Sequence, residues 1–123
     1  MAYLNDLVLD SGLTILDTQG DRLDICSAEP TTYTEATSTY TLGNKTSLSI
    51  GAPADRTPTG RKVTVAAITD GTCTGTNTAT HWAIVDVSES RLLAVNTLSA
   101  SQAVTSGNVF TLAAFDIGIP DPA

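Results

Sequence analysis

The chain has 123 residues, enough for one domain with a single hydrophobic core. Hydrophobic residues make up 41% of it and charged residues only 15%, below the usual share of about a quarter. Its 13 acidic and 6 basic side chains give a net charge of -7, so a phosphate backbone would repel it and we expect no nucleic-acid binding. No apolar run approaches the roughly 20 residues that cross a bilayer, and residues 1–10 lack a signal-peptide pattern. We therefore expect the protein to be synthesised in a cytoplasm and not to associate with a membrane.

The N-terminal segment predicts an α-helix over about residues 2–18, because its apolar residues recur near helical spacing. These apolar positions are Leu4, Leu7, Val8 and Ile15. Gly20 is expected to end the helix. Gly12 lies within it and costs about 1 kcal/mol relative to alanine, so a bend or an earlier end at that point is the alternative.

Strands and long connections are predicted for the rest of the chain. Polar and apolar residues alternate at 22–26, with Leu23 and Ile25 on one face, and this alternation predicts the first strand. The polar stretch 28–40 is predicted to be a surface connection with one helical turn, and 51–60, with two prolines and two glycines, a second long loop. Further strands are predicted at 45–50, 62–69, 79–87, 92–98 and 109–117, the last four as antiparallel hairpins.

Together these elements predict a mainly β (α+β) fold. It is an antiparallel β-sandwich or barrel over about 22–119, with the N-terminal α-helix packed at one end or across an open edge. Residues 1–123 are expected to form one domain, and Pro120 and Pro122 predict an extended tail at 120–123. The expected core consists of Leu7, Val8, Ile15, Ile25, Val63, Val65, Ile68, Trp82, Ile84, Leu93, Phe110, Leu112 and Phe115.

Catalytic chemistry has few candidate residues. A nucleophile–base pair would need His81, the one histidine, which we interpret as a residue on a sheet face beside Trp82. Cys26 and Cys73 are too few for a disulfide framework and lack the spacing of a zinc site. We predict two reduced thiols, with a disulfide as the alternative. The sequence therefore predicts no enzyme, and no catalytic, cofactor-binding or metal-binding residue.

Acidic and aromatic residues leave weaker hypotheses. Five aspartates near the N-terminus lack the calcium-loop pattern and are interpreted as a solvated helix face: Asp6, Asp10, Asp17, Asp21 and Asp24. Of the carboxylates in strands, Asp86 is predicted to form a turn, and with Asp116 it is the main candidate for a hydrolase pair. A platform for sugar binding would have to combine Tyr33, Tyr40 and Trp82.

Seven segments that cover most of the chain carry a family resemblance: "AYLNDLVLD", "RLDICSAEP", "YTEATSTYTLGNKT", "GRKVTVAAITDGT", "THWAIVDV", "SRLLAV" and "SQAVTSGNVFTLAAFDIGIPDP". Together they resemble a group of small structural and hypothetical proteins encoded by tailed bacteriophages. The resemblance implies a non-enzymatic virion component, synthesised in the host cytoplasm.

Among virion roles, we expect a capsid decoration (cement) protein that binds the major capsid protein on the capsid surface. A protein that binds only the assembled shell stabilises it by mass action. We also expect contacts between copies of the chain, such as trimers on capsid symmetry axes. The expected contact surfaces are the N-terminal segment, the loops 28–40 and 51–60, and the tail 120–123. The alternatives are a tail or head-to-tail connector component, a receptor- or glycan-binding module and, at a distance, a hydrolase.

Overall fold

The computed structural model describes residues 5–120, apart from the side chains of residues 6–8. Its elements in chain order are helix α1 (Asp6–Gln19), β1 (Arg22–Cys26), a π-helix (Glu35–Thr39), β2 (Thr41–Thr46), β3 (Ala54–Asp55), β4 (Arg61–Val65), β5 (Ile68–Cys73), β6 (Asn77–Asp86), β7 (Arg91–Val104), β8 (Val109–Leu112) and β9 (Phe115–Ile119). Every pairing between these strands is antiparallel. The predicted mainly β fold with an N-terminal helix is confirmed.

The described strands form two sheets. The larger has six strands in the order β7-β6-β1-β2-β5-β8, and the smaller has three in the order β3-β4-β9. The larger sheet curls into a half-barrel, so its edge strands β7 and β8 approach each other although neither pairs with the other. Where they come closest, the Gln102 side-chain amide donates a hydrogen bond to the Thr111 carbonyl oxygen at 3.3 Å. The larger sheet is therefore a half-barrel, which agrees with the predicted sandwich-or-barrel class.

Two predicted strands each divide between the two sheets. The segment predicted at 62–69 becomes β4 and β5, separated by Ala66 and Ala67, and the segment predicted at 109–117 becomes β8 and β9, separated by Ala113 and Ala114. Because β4 pairs with β9 while β5 pairs with β8, the two segments pass from one sheet to the other side by side. Strands that switch sheets make the corners of such packings. The predicted hairpin between 62–69 and 79–87 is wrong, because β6 pairs with β1 and β7. The predicted hairpin between 92–98 and 109–117 is also wrong, because β8 pairs with β5 and β9 with β4. Strands β6 and β7 do form a hairpin.

Helix α1 packs against β4 through a narrow apolar stripe. Leu9, Leu13 and Leu16 are buried at i, i+4 and i+7, as expected for one face of a helix. Ile15 is 43% exposed, so its predicted place in the core is wrong: it lies on the side of the helix away from this stripe. Gly12 continues the helix, and the N–H of Gly20 donates to the Leu16 carbonyl oxygen where the helix ends.

The main core lies inside the half-barrel. Most of the expected core residues are buried there, namely Ile25, Val63, Val65, Ile68, Trp82, Ile84 and Phe110. Leu93, Leu112 and Phe115 are half-buried and pack against the same cluster. Leu7 and Val8 lie outside the described side chains. Apart from Ile15, the described members of the expected core therefore contribute to this cluster.

The long connections are more ordered than expected. In 28–40, the π-helix brings Ala36 onto a second apolar cluster behind the sheet, where it meets Cys26, Ala83 and Val85. The loop 51–60 contains β3, which pairs with β4. The strand predicted at 45–50 is found earlier, at Thr41–Thr46, because β2 pairs with β1 along its whole length. Strand β7 continues to Val104, beyond its predicted end at 98.

Candidate functional site

A cleft of about 460 Å³ opens between β7 on one side and β8 and β9 on the other, and we call it the seam. Its floor is formed by Trp82 and Phe115, whose ring centroids lie 4.6 Å apart. Leu98 and Leu112 add apolar surface, and amide and hydroxyl side chains line the walls. The seam has the size of ordinary ligand pockets, about 300–1,000 Å³, and combines apolar surface with a few polar groups as they do.

A wide bulge in β7 opens the seam. Ala79 pairs with Gln102 and His81 pairs with Thr97, so the residues 98–101 of β7 stand opposite the single Thr80 of β6. Bulges of this kind bend a strand and interrupt its ladder, and they are common beside functional sites. The bulge places Leu98 in the wall of the seam and moves this part of β7 away from a regular edge.

The opposite wall presents a regular strand edge. The Cys73 N–H donates to the Asn108 carbonyl oxygen, and Gly71 pairs with Phe110, so these residues direct their backbone groups toward β5. Alternation along the strand turns the N–H and C=O groups of Val109 and Thr111 outward. The Thr111 carbonyl oxygen accepts the Gln102 side-chain amide, a donor that stands where a neighbouring strand's N–H would be.

The seam is nearly free of charge. Residues 92–115 include no Asp, Glu, Lys, Arg or His, and among the described residues that line the seam the one ionisable residue is Asp116 at its rim. Asp116 accepts hydrogen bonds from the Thr64 hydroxyl at 2.7 Å and from the Lys62 ammonium at 3.0 Å, and both lower its pKa. The described lining thus presents one carboxylate, which its two donors hold ionised, so the seam is suited to an uncharged ligand.

Charged side chains gather instead where α1, β3, β4 and β9 meet. Arg61 donates to both carboxylate oxygens of Asp10, at 2.8 and 3.2 Å, and also to Asp55. Lys62 pairs with Asp116 next to it. We call these five residues the charged corner. They join the helix to the smaller sheet. The predicted solvated position of Asp10 is therefore wrong, because its carboxylate is paired with Arg61.

Asp24 also departs from the predicted solvated helix face. It lies in β1, fully buried, and its two oxygens accept hydrogen bonds from Arg22 at 2.7 and 2.9 Å and from the Thr41 hydroxyl at 2.7 Å. Burial raises the pKa of Asp24, while these donors oppose the shift. These three hydrogen bonds satisfy both oxygens of the buried carboxylate, so we interpret Asp24 and Arg22 as a structural ion pair.

Of the residues singled out for catalysis, Cys26 and His81 are cross-strand partners in the β1–β6 ladder, but the Cys26 thiol donates to the Ala36 carbonyl oxygen at 3.6 Å. His81 is half-buried on β6, and its Nδ1 lies 2.9 Å from the Thr80 hydroxyl. Cys26 and Cys73 are both free and buried, and burial raises the pKa of Cys26 to about 12 and also raises that of Cys73, which disfavours thiolate chemistry. Asp86 accepts hydrogen bonds from Ser88 and Glu89 in the turn after β6, as predicted. Among residues 5–120 outside the undescribed side chains, no three His, Cys, Asp or Glu residues group as metal ligands would.

The three aromatics of the predicted sugar platform are divided between two faces of the sheet. Trp82 faces the main core and the floor of the seam. Tyr33 and Tyr40 pack against the second cluster, with Ala83 and Val85. Because adjacent residues of a strand point to opposite faces, these rings cannot form one surface. The ring beside Trp82 is instead Phe115, which was predicted only as a core residue.

The expected contact surfaces are only partly described. Within them, 28–40 and 51–60 are ordered as given above, whereas residues 1–4 and 121–123 lie outside the described part of the chain. No described helix is long and apolar enough to cross a membrane. No protein-family model, curated protein or solved structure matches this chain.

Proposed function

We propose that this chain is a non-enzymatic bacteriophage virion protein that decorates the capsid by binding the major capsid protein. The family resemblance of its segments supports a virion role. The observation that carries the proposal further is the uncharged stretch 92–115, which forms both walls of the seam and leaves Val109 64% exposed. The buried centres of protein–protein interfaces are depleted in charged residues in the same way.

The physical advantage of decoration is linkage. A protein that binds the assembled shell but not its separate subunits shifts the equilibrium toward the shell, by an amount that grows with occupancy. The net charge of -7 disfavours contact with packaged DNA and so favours attachment to the outer surface. The ion pairs of the charged corner and the contacts of the core are made within one chain, which suits a protein that folds first and attaches later.

Quantitative mass spectrometry of purified particles tests this proposal. We expect hundreds of copies in a simple ratio to the major capsid protein. A count of six, twelve or a few dozen would support the tail or head-to-tail connector alternative instead. If the particles contain none of the chain, the virion proposal is wrong.

A glycan-binding role is the second candidate, and one observation favours it. The seam combines the Trp82 and Phe115 rings with neutral amide and hydroxyl groups, which is the chemistry that neutral sugars require. Titration of the full chain with host polysaccharide, followed by NMR of the Trp82 indole, tests this role. Saturable shifts that Phe115→Ala abolishes would support it, and unchanged spectra at millimolar saccharide would exclude it.

A further inference from the structure

We infer that the seam is where the capsid is bound, and that it takes one extended, uncharged segment of the major capsid protein as an added strand on β8. This inference rests on the proposed function and specifies the surface and the binding mode. It differs from the sequence-based expectation, which placed the contacts in the N-terminal segment, the two long loops and the tail.

The first argument is the backbone edge. Val109 and Thr111 direct their N–H and C=O groups away from β5, and none of the described strands pairs with them there. The Gln102 amide already fills one such position by donating to the Thr111 carbonyl oxygen. An exposed strand edge is a template for strand addition, in which backbone hydrogen bonds provide affinity.

The second argument is the shape of the opposite wall. A bulged strand pairs poorly, so β7 at residues 98–101 is not the pairing edge. It instead bounds the space that an added strand would fill, with the Leu98 side chain in that wall. No described strand lies between the two edges of the curled sheet, and an inserted segment would lie over the Trp82–Phe115 floor.

The third argument is charge, which selects the occupant. Burying an unpaired charge is costly, and the described lining offers no free counter-charge, because Asp116 is engaged by Thr64 and Lys62. The inserted segment must therefore be uncharged where it lies in the seam. The apolar floor favours one apolar side chain pointing inward, with neighbouring side chains pointing out, as strand alternation requires.

The test uses the full chain and capsid shells prepared from phage that lack it. Ala100 is exposed and lines the seam, and Ala52 is exposed in the loop 51–60 and serves as the matched control site. Each is changed to Glu and, separately, to Lys. We expect both Ala100→Glu and Ala100→Lys to weaken shell binding at least tenfold, because either charge must be desolvated, and both Ala52 variants to bind as the unmodified chain does.

A second variant addresses the backbone. Thr111→Pro removes an outward N–H while leaving the hydrogen bonds to β5 in place, which proline tolerates at a strand edge. We expect it to weaken shell binding while the thermal unfolding midpoint stays near that of the unmodified chain. Hydrogen exchange of the unmodified chain should show the amides of Val109 and Thr111 becoming protected on shells.

The outcomes separate the two proposals. If the chain and all variants bind shells equally, the seam inference is wrong and the decoration proposal stands. If the chain does not bind shells at all, both are wrong. Weakening by one sign of charge alone would indicate long-range electrostatics and overturn strand insertion. So would sedimentation showing that the free chain self-associates and that the Ala100 variants abolish this, because the seam would then bind a second copy.

Discussion

The charged corner and the seam hold the same small domain together in different ways. At the corner, Arg61 links a helix and a short strand to the smaller sheet through directed hydrogen bonds to Asp10 and Asp55. At the seam, apolar packing over Trp82 and one side-chain hydrogen bond from Gln102 connect the two edges. Directed ion pairs fix a geometry, whereas an uncharged cleft with an open strand edge accepts a partner. The two regions therefore differ in the kind of interaction that stabilises them, and on our proposal the seam also binds a partner.

The largest expected effect is at the floor of the seam. Trp82→Ala should lower the free energy of unfolding by about 3–5 kcal/mol, since it removes a ring that is 7% exposed and leaves a cavity beside Phe115. Urea denaturation followed by circular dichroism measures it. Because no charge is involved, the loss should be the same in 1 M NaCl. A loss below about 1 kcal/mol would contradict the view that the seam floor belongs to the core.

A smaller effect is expected at the charged corner. Arg61→Met should cost about 1–3 kcal/mol, because it leaves the partly buried Asp10 without its bidentate partner. Unlike the effect at Trp82, this cost should shrink in 1 M NaCl, which screens exposed charges. Arg91→Met is the matched control, since its pair with Glu89 is more than half exposed and should contribute under about 0.5 kcal/mol. Equal losses at the two arginines would show that the corner is not a special site.

A pH titration sharpens the comparison at Asp116, which belongs to both regions. Its pKa is lowered by Thr64 and Lys62, so the ionised form contributes stability above its ordinary value of 3.8, and this is lost as the pH falls through the lowered pKa. Asp116→Asn should therefore be less stable than the unmodified chain at pH 6 and equal to it in strong acid. Thr64→Val should reduce the difference at pH 6, since it removes the largest cause of the shift. A difference that persists unchanged into strong acid would contradict this account.

The smallest expected effect is at the hydrogen bond that spans the seam. Gln102→Ala should lower the free energy of unfolding by roughly 0.5 kcal/mol, because the bond is exposed to water. Differential scanning calorimetry measures the change. We expect the backbone amides of β8 to exchange faster in this variant, because the Gln102 side chain no longer holds the Thr111 carbonyl oxygen. An unchanged exchange rate would show that this hydrogen bond does not restrain the edge of β8.

Local patterns in the sequence predict much of this fold. Alternation identifies β1 and β6, the Gly20 signal marks the end of α1, and most core residues follow from apolar periodicity. The division of 62–69 and 109–117 between two sheets was missed, because the alanine pairs at the two corners carry no turn signal. The exposure of Ile15 was also missed. Which apolar residues of a short helix are buried depends on the face that packs against the sheet, and here that face carries Leu9, Leu13 and Leu16.

The seam was harder to predict than the strands around it. Its uncharged stretch 92–115 is visible in the sequence. However, β7 and β8 follow each other in the chain, and consecutive antiparallel strands usually pair. Here they form opposite edges of one curled sheet, because four other strands, β6, β1, β2 and β5, lie between them in the sheet. The site depends on long-range topology, which periodicity does not report.

The uncharged stretch has a practical consequence for proteolysis. Trypsin cleaves after lysine and arginine, and no such residue follows Arg91 in this sequence. Opening of the seam would therefore leave a tryptic digest unchanged, while chymotrypsin, which cleaves after large apolar residues, can cut at Leu98, Phe110 and Phe115. A complete tryptic digest would likewise release the proposed contact region only within the single long peptide that begins at Leu92.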